Sequence, residues 1–365
     1  MFSTYSYWTF ALLLFSTIIL IPIIMGLFGG NKFPVEGKVS RPGTAGQIQV
    51  ITKHAQTVLL TGGSEGMGKA VAIQLSQKGA NVIIVSRNVE KLEIALKEVQ
   101  AAAKNPSSQR FKYISADLSQ SSASLRVLAE ARTWNHGNPP DIVWCIAGTS
   151  LPNFYVETPM ETLRSQMDLN FWAAAEMAHG VLREWLDPEA LEMGGSQKHL
   201  IFTATVCAFY APVGYSPYAP AKAAIRNLSD TLQQEMLLYG GGEAVKIHTV
   251  CPGTITSPGF ERENLNKPAI TKELEESDPV QSPEEVAAIA IKALEAGEYL
   301  ITMNWLGRAM KAQAWGGMPR SNWVLDTLYT LITSFVWMIV QPMLDGQVKA
   351  HGKKYGHPST YAKKA

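Results

Sequence analysis

The chain has 365 residues, a formal net charge of +1, and 46% hydrophobic against 17% charged residues. That length suffices for one large α/β domain with extensions, and a near-neutral charge without a basic stripe excludes a nucleic-acid binder that works by neutralising phosphates. Three cysteines without C-x-x-C spacing and seven histidines without H-E-x-x-H or related spacing argue against a disulfide framework and against a metal site.

Tyr7 to Phe28 carries no charge and is about the length that spans a bilayer. No basic region precedes it and no small-residue cleavage site follows, so residues 7–28 read as a retained transmembrane helix and not as a cleaved signal peptide. Lys32, Lys38 and Arg41 follow, which by the positive-inside rule puts the next domain in the cytosol. Residues 29–55 begin rich in Gly and Pro and read as a linker.

From Gln56 strands alternate with helices. The apolar strand Val58–Leu60 runs into Gly62, Gly63, Gly66 and Gly68 and then an amphipathic helix. Glycines there let the backbone turn sharply and approach a pyrophosphate, which sits on the amides of the helix N-terminus. The next strand, N-V-I-I-V-S-R, ends in Ser86 and Arg87, where folds that bind NAD usually carry an acidic residue for the ribose 2′-hydroxyl. A carboxylate would repel a 2′-phosphate, whereas Arg87 can bind one through charge-assisted hydrogen bonds. The pattern predicts NADP(H), with Lys91 one turn on as a second cation; a solvated strand end is the alternative for Arg87.

A helix is expected over Glu90–Lys104, charged on one face. The strand F-K-Y-I-S-A ends at Asp117 and Leu118, a place for a carboxylate to meet an adenine amine. A polar helix near Ser121–Trp134 leads to the strand D-I-V-W-C-I-A-G, where Ala147 and Gly148 are small enough to let a cofactor lie against the backbone. Glu161–Trp185 reads as one long helical run containing Asn170. The strand H-L-I-F-T-A-T ends at Thr205, whose hydroxyl can hydrogen-bond a substrate oxygen. Tyr218 and Lys222, four apart, fall on one helical face, where an ammonium would favour the phenolate and lower a pKa of about 10. That helix runs on to the Gly240-Gly241-Gly242 stop, and the strand V-K-I-H-T-V-C then meets Pro252-Gly253. Repeated units of this length predict a single α/β domain over 56–304, a doubly wound parallel sheet with its ligand edge at the carboxyl ends of the strands.

Residues 254–280 show little periodicity and read as a substrate lid, with Ile255 placed to contact a nicotinamide; an ordinary surface loop is the alternative. After the strand Y-L-I-T-M comes a run, 323–344, apolar except for Asp326. It is expected to be a second membrane segment, either spanning or lying in the interface. Arg308, Lys311 and Arg320 precede it, and Lys349, Lys353 and Lys354 follow in a polar basic tail, 345–365. A single span would send the second cluster across the membrane, against the positive-inside tendency; an in-plane segment, or two short helices broken at Pro342, avoids that.

The motif T-G-x-x-x-G-x-G over Thr61–Gly68, Ala147-Gly148, Asn170, Thr205, Y-x-x-x-K and Pro252-Gly253, in this order, resemble the short-chain dehydrogenase/reductase superfamily over roughly Gln56 to Met303. The resemblance implies a Rossmann sheet in which Tyr218 exchanges a proton with a carbonyl and Lys222 depresses its pKa and holds the nicotinamide ribose. It also implies that Thr205 orients the carbonyl and Asn170 fixes a relay water. Two positions depart from the pattern: Thr205 stands where the family usually has Ser, and Ile146 where the A-G pair usually follows Asn. The chain is further similar to fungal 3-ketodihydrosphingosine reductases, whose Gly-x-Ser-x-Gly signature falls on Gly62, Ser64 and Gly66. Glu65, inside it, joins Pro252, Gly253 and Ile255 among the expected cofactor contacts. That similarity implies NADPH-dependent reduction of 3-ketosphinganine, a long-chain sphingoid base, at the cytosolic face of the endoplasmic reticulum membrane. It also implies a homodimer packed through the helices that carry Asn170 and Tyr218. A membrane-bound steroid or retinoid reductase and an inactive cofactor-binding scaffold are the alternatives.

Overall fold

The computed structural model describes residues 56–193, 196–239, 242–317, 320 and 322–358. The expected transmembrane helix 7–28 and linker 29–55 lie outside the described residues.

Within them the chain builds a seven-stranded parallel sheet in the order β3-β2-β1-β4-β5-β6-β9. Its strands are β1 (Thr57–Thr61), β2 (Asn81–Ser86), β3 (Phe111–Ser115), β4 (Ile142–Cys145), β5 (Lys198–Thr203), β6 (Val245–Cys251) and β9 (Leu300–Thr302). β1 and β4 are buried at every position, as expected of Val/Ile/Leu-rich strands covered on both faces. One layer holds α1 (Gly66–Gln77), α2 (Val89–Ala101) and α10 (Pro283–Glu295), packed on Leu60, Ile84 and Trp144. The other holds α3 (Ala123–Trp134), α5 (Ala173–Trp185) and α7 (Ala219–Glu235), packed on Leu59, Val143 and Phe202. Strand order reverses between β1 and β4, which opens a crevice at their carboxyl ends.

Four expectations change. The run 161–185 is interrupted: α4 (Met160–Met167) passes into a π-helical turn, Asp168–Trp172, before α5. Such bulges turn a side chain off the regular helical face, and this one carries Asn170. Tyr218 is the N-cap of α7 and not a residue within it, because Pro220 suits the first turn of a helix. Residues 254–280 are ordered: β7 (Thr254–Ile255) pairs in parallel with β8 (Val280–Gln281), enclosing α8 (Pro258–Asn266) and α9 (Ala269–Glu275). Elements this short carry no readable period. Finally, α12 (Trp323–Tyr355) is a single helix running through Pro342, longer than the expected 323–344 and unbroken there. It packs against α11 (Trp305–Ala314) and is, among the described residues, the one helix long and apolar enough to cross a membrane.

Candidate active site

The glycine turn is tied to the neighbouring strand, with the amides of Gly62 and Gly63 both donating to the Val85 carbonyl (2.8 and 3.2 Å). Gly62 takes a left-handed φ of +70°, and a Cβ at Gly68 would fall 2.1 Å from the Gly62 carbonyl oxygen. Only glycines permit this turn to lie so close to the first turn of α1. The Ser64 hydroxyl donates to that of Ser86 at 2.9 Å. Glu65, the N-cap of α1, makes no side-chain cap; its carboxylate pairs with Lys91 at 2.6 Å and with Arg262 of α8. Burial pushes Glu65 up, but the hydrogen bonds from Arg262 and Lys91 outweigh it and hold the carboxyl below its ordinary value. Lys91 is therefore engaged with the turn, and Arg87, exposed at the end of β2, is the expected cation that lines the cleft.

Asp117 does not face the cleft as expected. Ala116 and Leu118 line it, while the Asp117 carboxylate accepts from the amide and hydroxyl of Ser119 (3.1 and 2.7 Å). The place of the missing Asn at Ile146 is supplied from β1: the amides of Ile146 and Ala147 both donate to the Thr61 hydroxyl (2.9 and 3.0 Å). Asn170 is 1% exposed. Its Oδ1 accepts from the Thr149 amide at 3.0 Å, and its Nδ2 donates to the carbonyls of Thr149 and Gln166 (2.9 and 3.0 Å). The side chain thus clamps the loop after Gly148, and a Cβ at Gly148 would fall 2.7 Å from its Oδ1 and 3.1 Å from Lys222 Nζ.

Thr205 lies just beyond β5; its hydroxyl donates to the Pro252 carbonyl at 3.2 Å and accepts from the Cys207 amide at 3.4 Å. Lys222 is 3% exposed, donates to the Thr203 carbonyl at 2.9 Å, and stands 5.8 Å from the centre of the Tyr218 ring. Burial lowers its pKa to about 8. Tyr218 keeps an edge toward the cleft but is otherwise enclosed, and this burial pushes its phenol well above 10, against the pull of a hydrogen bond with Thr205. Loss of water around the phenol is the largest influence on it, so its direction is opposite to the depression expected from Lys222. At neutral pH the pair is a phenol and an ammonium, the state that can give a proton to a carbonyl.

These groups share one cavity of about 760 Å³. It is lined by the glycine turn, Ala147-Gly148, Pro252-Gly253, Ile255, Thr205, Tyr218 and Lys222, and by residues of α8, α9, α11 and α12. Two parts of its wall have no sequence motif. Residues 254–280 contribute Glu263, Glu275 and Asp278. Tyr215 donates to Glu263 at 2.6 Å, and the buried Lys267 binds Glu263 and Glu275 (2.8 and 2.6 Å). Burial, reinforced by the Glu275 charge, pushes Asp278 up to about 6. The other part is apolar, with Met310 of α11 and Trp337, Val340 and Leu344 of α12; the Trp337 ring lies 5.1 Å from that of Tyr210. The i, i+3, i+7 spacing of those α12 residues was legible, but not what they would face. The three cysteines are free and pushed up to about 12 by burial, so they are neutral thiols.

A family model described as short chain dehydrogenase matches residues 56–268. The 3-ketodihydrosphingosine reductase of Neurospora crassa is 50% identical over 93% of this chain and 90% of its own length. That of Aspergillus fumigatus is 47% identical over 91% of this chain and 89% of its own. Among solved structures, a short-chain dehydrogenase from Sphingobium yanoikuyae in complex with NADPH superposes with a TM-score of 0.56 at 19% identity, covering 68% of this chain and 87% of that one. A 3-oxoacyl (acyl-carrier-protein) reductase from Agrobacterium tumefaciens with NADP bound gives 0.56 at 20% identity, over 68% of this chain and 94% of that one. These two likenesses concern the fold.

Proposed function

The chain belongs to the short-chain dehydrogenases, and from that premise we propose that it reduces 3-ketosphinganine to sphinganine with NADPH. The observation that carries the substrate is the mixed lining of the cavity. One wall joins Tyr218 with acidic residues, Glu263, Glu275 and Asp278 with Lys267 as the counter-charge, and with apolar residues of α11 and α12. A long-chain base with an ammonium beside its ketone suits both. A neutral steroid ketone would set carbon against carboxylates, which costs their solvation and returns nothing. The relatives named for this reaction align over nearly the whole chain.

The cleft fits a nicotinamide dinucleotide: the glycine turn brings its backbone to the N-terminus of α1, small residues floor the crevice at Ala147-Gly148, and Arg87 stands where a 2′-phosphate would lie. Such a cofactor supplies a hydride when bound. Lys222 lies where it can hold the nicotinamide ribose. The Tyr218 phenol gives its proton to the carbonyl oxygen, and the Thr205 hydroxyl orients that oxygen. The Lys222 ammonium, with a pKa of about 8, is charged at pH 7 and can return a proton to the phenolate. Asn170 is a positioning residue that holds the Thr149 wall beside Lys222. We place the catalytic domain on the cytosolic side of the endoplasmic reticulum membrane, in keeping with a lipid substrate and with Lys32, Lys38 and Arg41.

Purified protein with NADPH should convert 3-ketosphinganine to sphinganine, read as lipid product by mass spectrometry. Turnover of a steroid ketone with none of 3-ketosphinganine would refute the proposal. Arg87→Asp should weaken NADPH binding by about 10- to 100-fold, the worth of a charge-assisted hydrogen bond plus a new repulsion, and leave NADH nearly unchanged. Fluorescence titration checks this, and equal losses would remove the phosphate role. Asp278 must be ionised to attract an ammonium, so KM for the amino ketone should rise as pH falls through about 6. Asp278→Asn should raise KM at pH 7 and flatten that limb, while a ketone without the amine shows neither effect.

A further inference from the structure

We infer that α12 lies along the membrane surface as an in-plane anchor, its outer face in one leaflet and its inner face forming the wall through which the lipid tail reaches the site. The inference rests on the lipid-substrate reading for the identity of the tail, but its geometry stands on the helix alone.

The inner face is docked on the domain along most of its length. Gln313 of α11 donates to the Thr330 carbonyl and the Thr333 hydroxyl. Trp337 meets Tyr210, and His351 lies 3.2 Å from the Glu273 carboxylate of α9. From Thr330 to His351 is about 31 Å at 1.5 Å per residue, as long as the hydrocarbon core is thick. A crossing helix would therefore put Gln313 and Glu273 at opposite faces of the membrane and draw the part of the domain between them, Tyr210 included, through hydrocarbon.

The outer face is apolar and open. Leu328, Phe335 and Ile339 are 53%, 70% and 65% exposed. Leu328, Phe335 and Lys349 fall at intervals of seven or fourteen, as do Ile332, Ile339 and Lys353, so the lysines continue the same face. The apolar stripe suits acyl chains and the lysines beyond it suit anionic headgroups, so this face belongs against a lipid surface and not in a protein core. The same turns of α12 present Trp337, Val340 and Leu344 to the cavity. A lipid in the leaflet thus needs to pass only around the helix, and not through water, to place its ketone at Tyr218.

The experiment uses the full chain in sealed vesicles of phosphatidylcholine with phosphatidylserine. Gly317→Cys and Gly352→Cys flank the apolar run, and a side chain at either meets nothing within 4 Å. A membrane-impermeant maleimide should label both from the same side; labelling from opposite sides would overturn the inference. In the second arm Leu328→Lys, Phe335→Lys and Ile339→Lys are combined. The expected result is a fall of at least about tenfold in kcat/KM for the 18-carbon 3-keto base in vesicles, with a water-soluble 8-carbon analogue unchanged within about twofold, since moving three cations into a leaflet opposes insertion and not chemistry. Unchanged turnover of the 18-carbon base overturns the inference, and so does an equal loss on both substrates, because the face would then serve the fold and not the leaflet. If the unaltered protein reduces neither base, the substrate reading fails while the labelling still decides how α12 lies.

Discussion

Tyr218→Phe is expected to lower kcat by about 10²- to 10⁴-fold, the worth of a positioned general acid, with cofactor affinity unchanged within about twofold. The substitution removes one oxygen from an enclosed ring and keeps its shape. The phenol is protonated at neutral pH, and burial pushes its pKa further up, so it enters the reaction as the acid form. Thr205 loses its hydrogen bond with Tyr218, but Lys222 and Thr205 keep their bonds to the Thr203 and Pro252 carbonyls. Single-turnover reduction with a separate measurement of cofactor binding separates the two effects. Full activity in Tyr218→Phe would assign the proton to another group and undo the mechanism.

Gly68→Ala should abolish cofactor binding and destabilise the domain by about 1–3 kcal/mol or more, the range for forcing atoms into a filled space. Its Cβ would sit 2.1 Å from the Gly62 carbonyl oxygen and 2.8 Å from the Gly62 carbonyl carbon, both backbone, so no side chain can swing aside. The turn itself must open, and with it the approach of the backbone to a pyrophosphate. Thermal unfolding and cofactor titration should therefore fail together. Gly346→Ala, which meets nothing within 4 Å, is the control that should change neither. Wild-type cofactor affinity in Gly68→Ala would mean that the turn does not hold the phosphates.

The alternation of strands and helices was legible because parallel strands covered on both faces are continuous apolar runs, and β1, β2, β4 and β5 are of that kind. The glycine turn and the Tyr218–Lys222 spacing were legible because backbone approach and a one-turn separation each demand particular residues at particular intervals. Residues 254–280 showed little periodicity because their helices α8 and α9 have nine and seven residues, too few to establish a period. Asp117 was assigned to the cleft from its place at a strand end, yet a serine two residues on offered its carboxylate a nearer partner.

By itself the sequence determined the class of fold, the edge of the sheet at which the cavity opens, and the pairing of Tyr218 with Lys222 in its wall, since each follows from local pattern. Only the tertiary structure decided what the phenol's proton does and what surrounds it. Burial by distant segments is the largest influence on the Tyr218 phenol and pushes its pKa up. Segments far apart in the chain, the carboxylates of residues 254–280 and the inner face of α12, line the cavity. Desolvation and cavity shape are properties of everything that packs around a site, so no local interval between residues could have carried them.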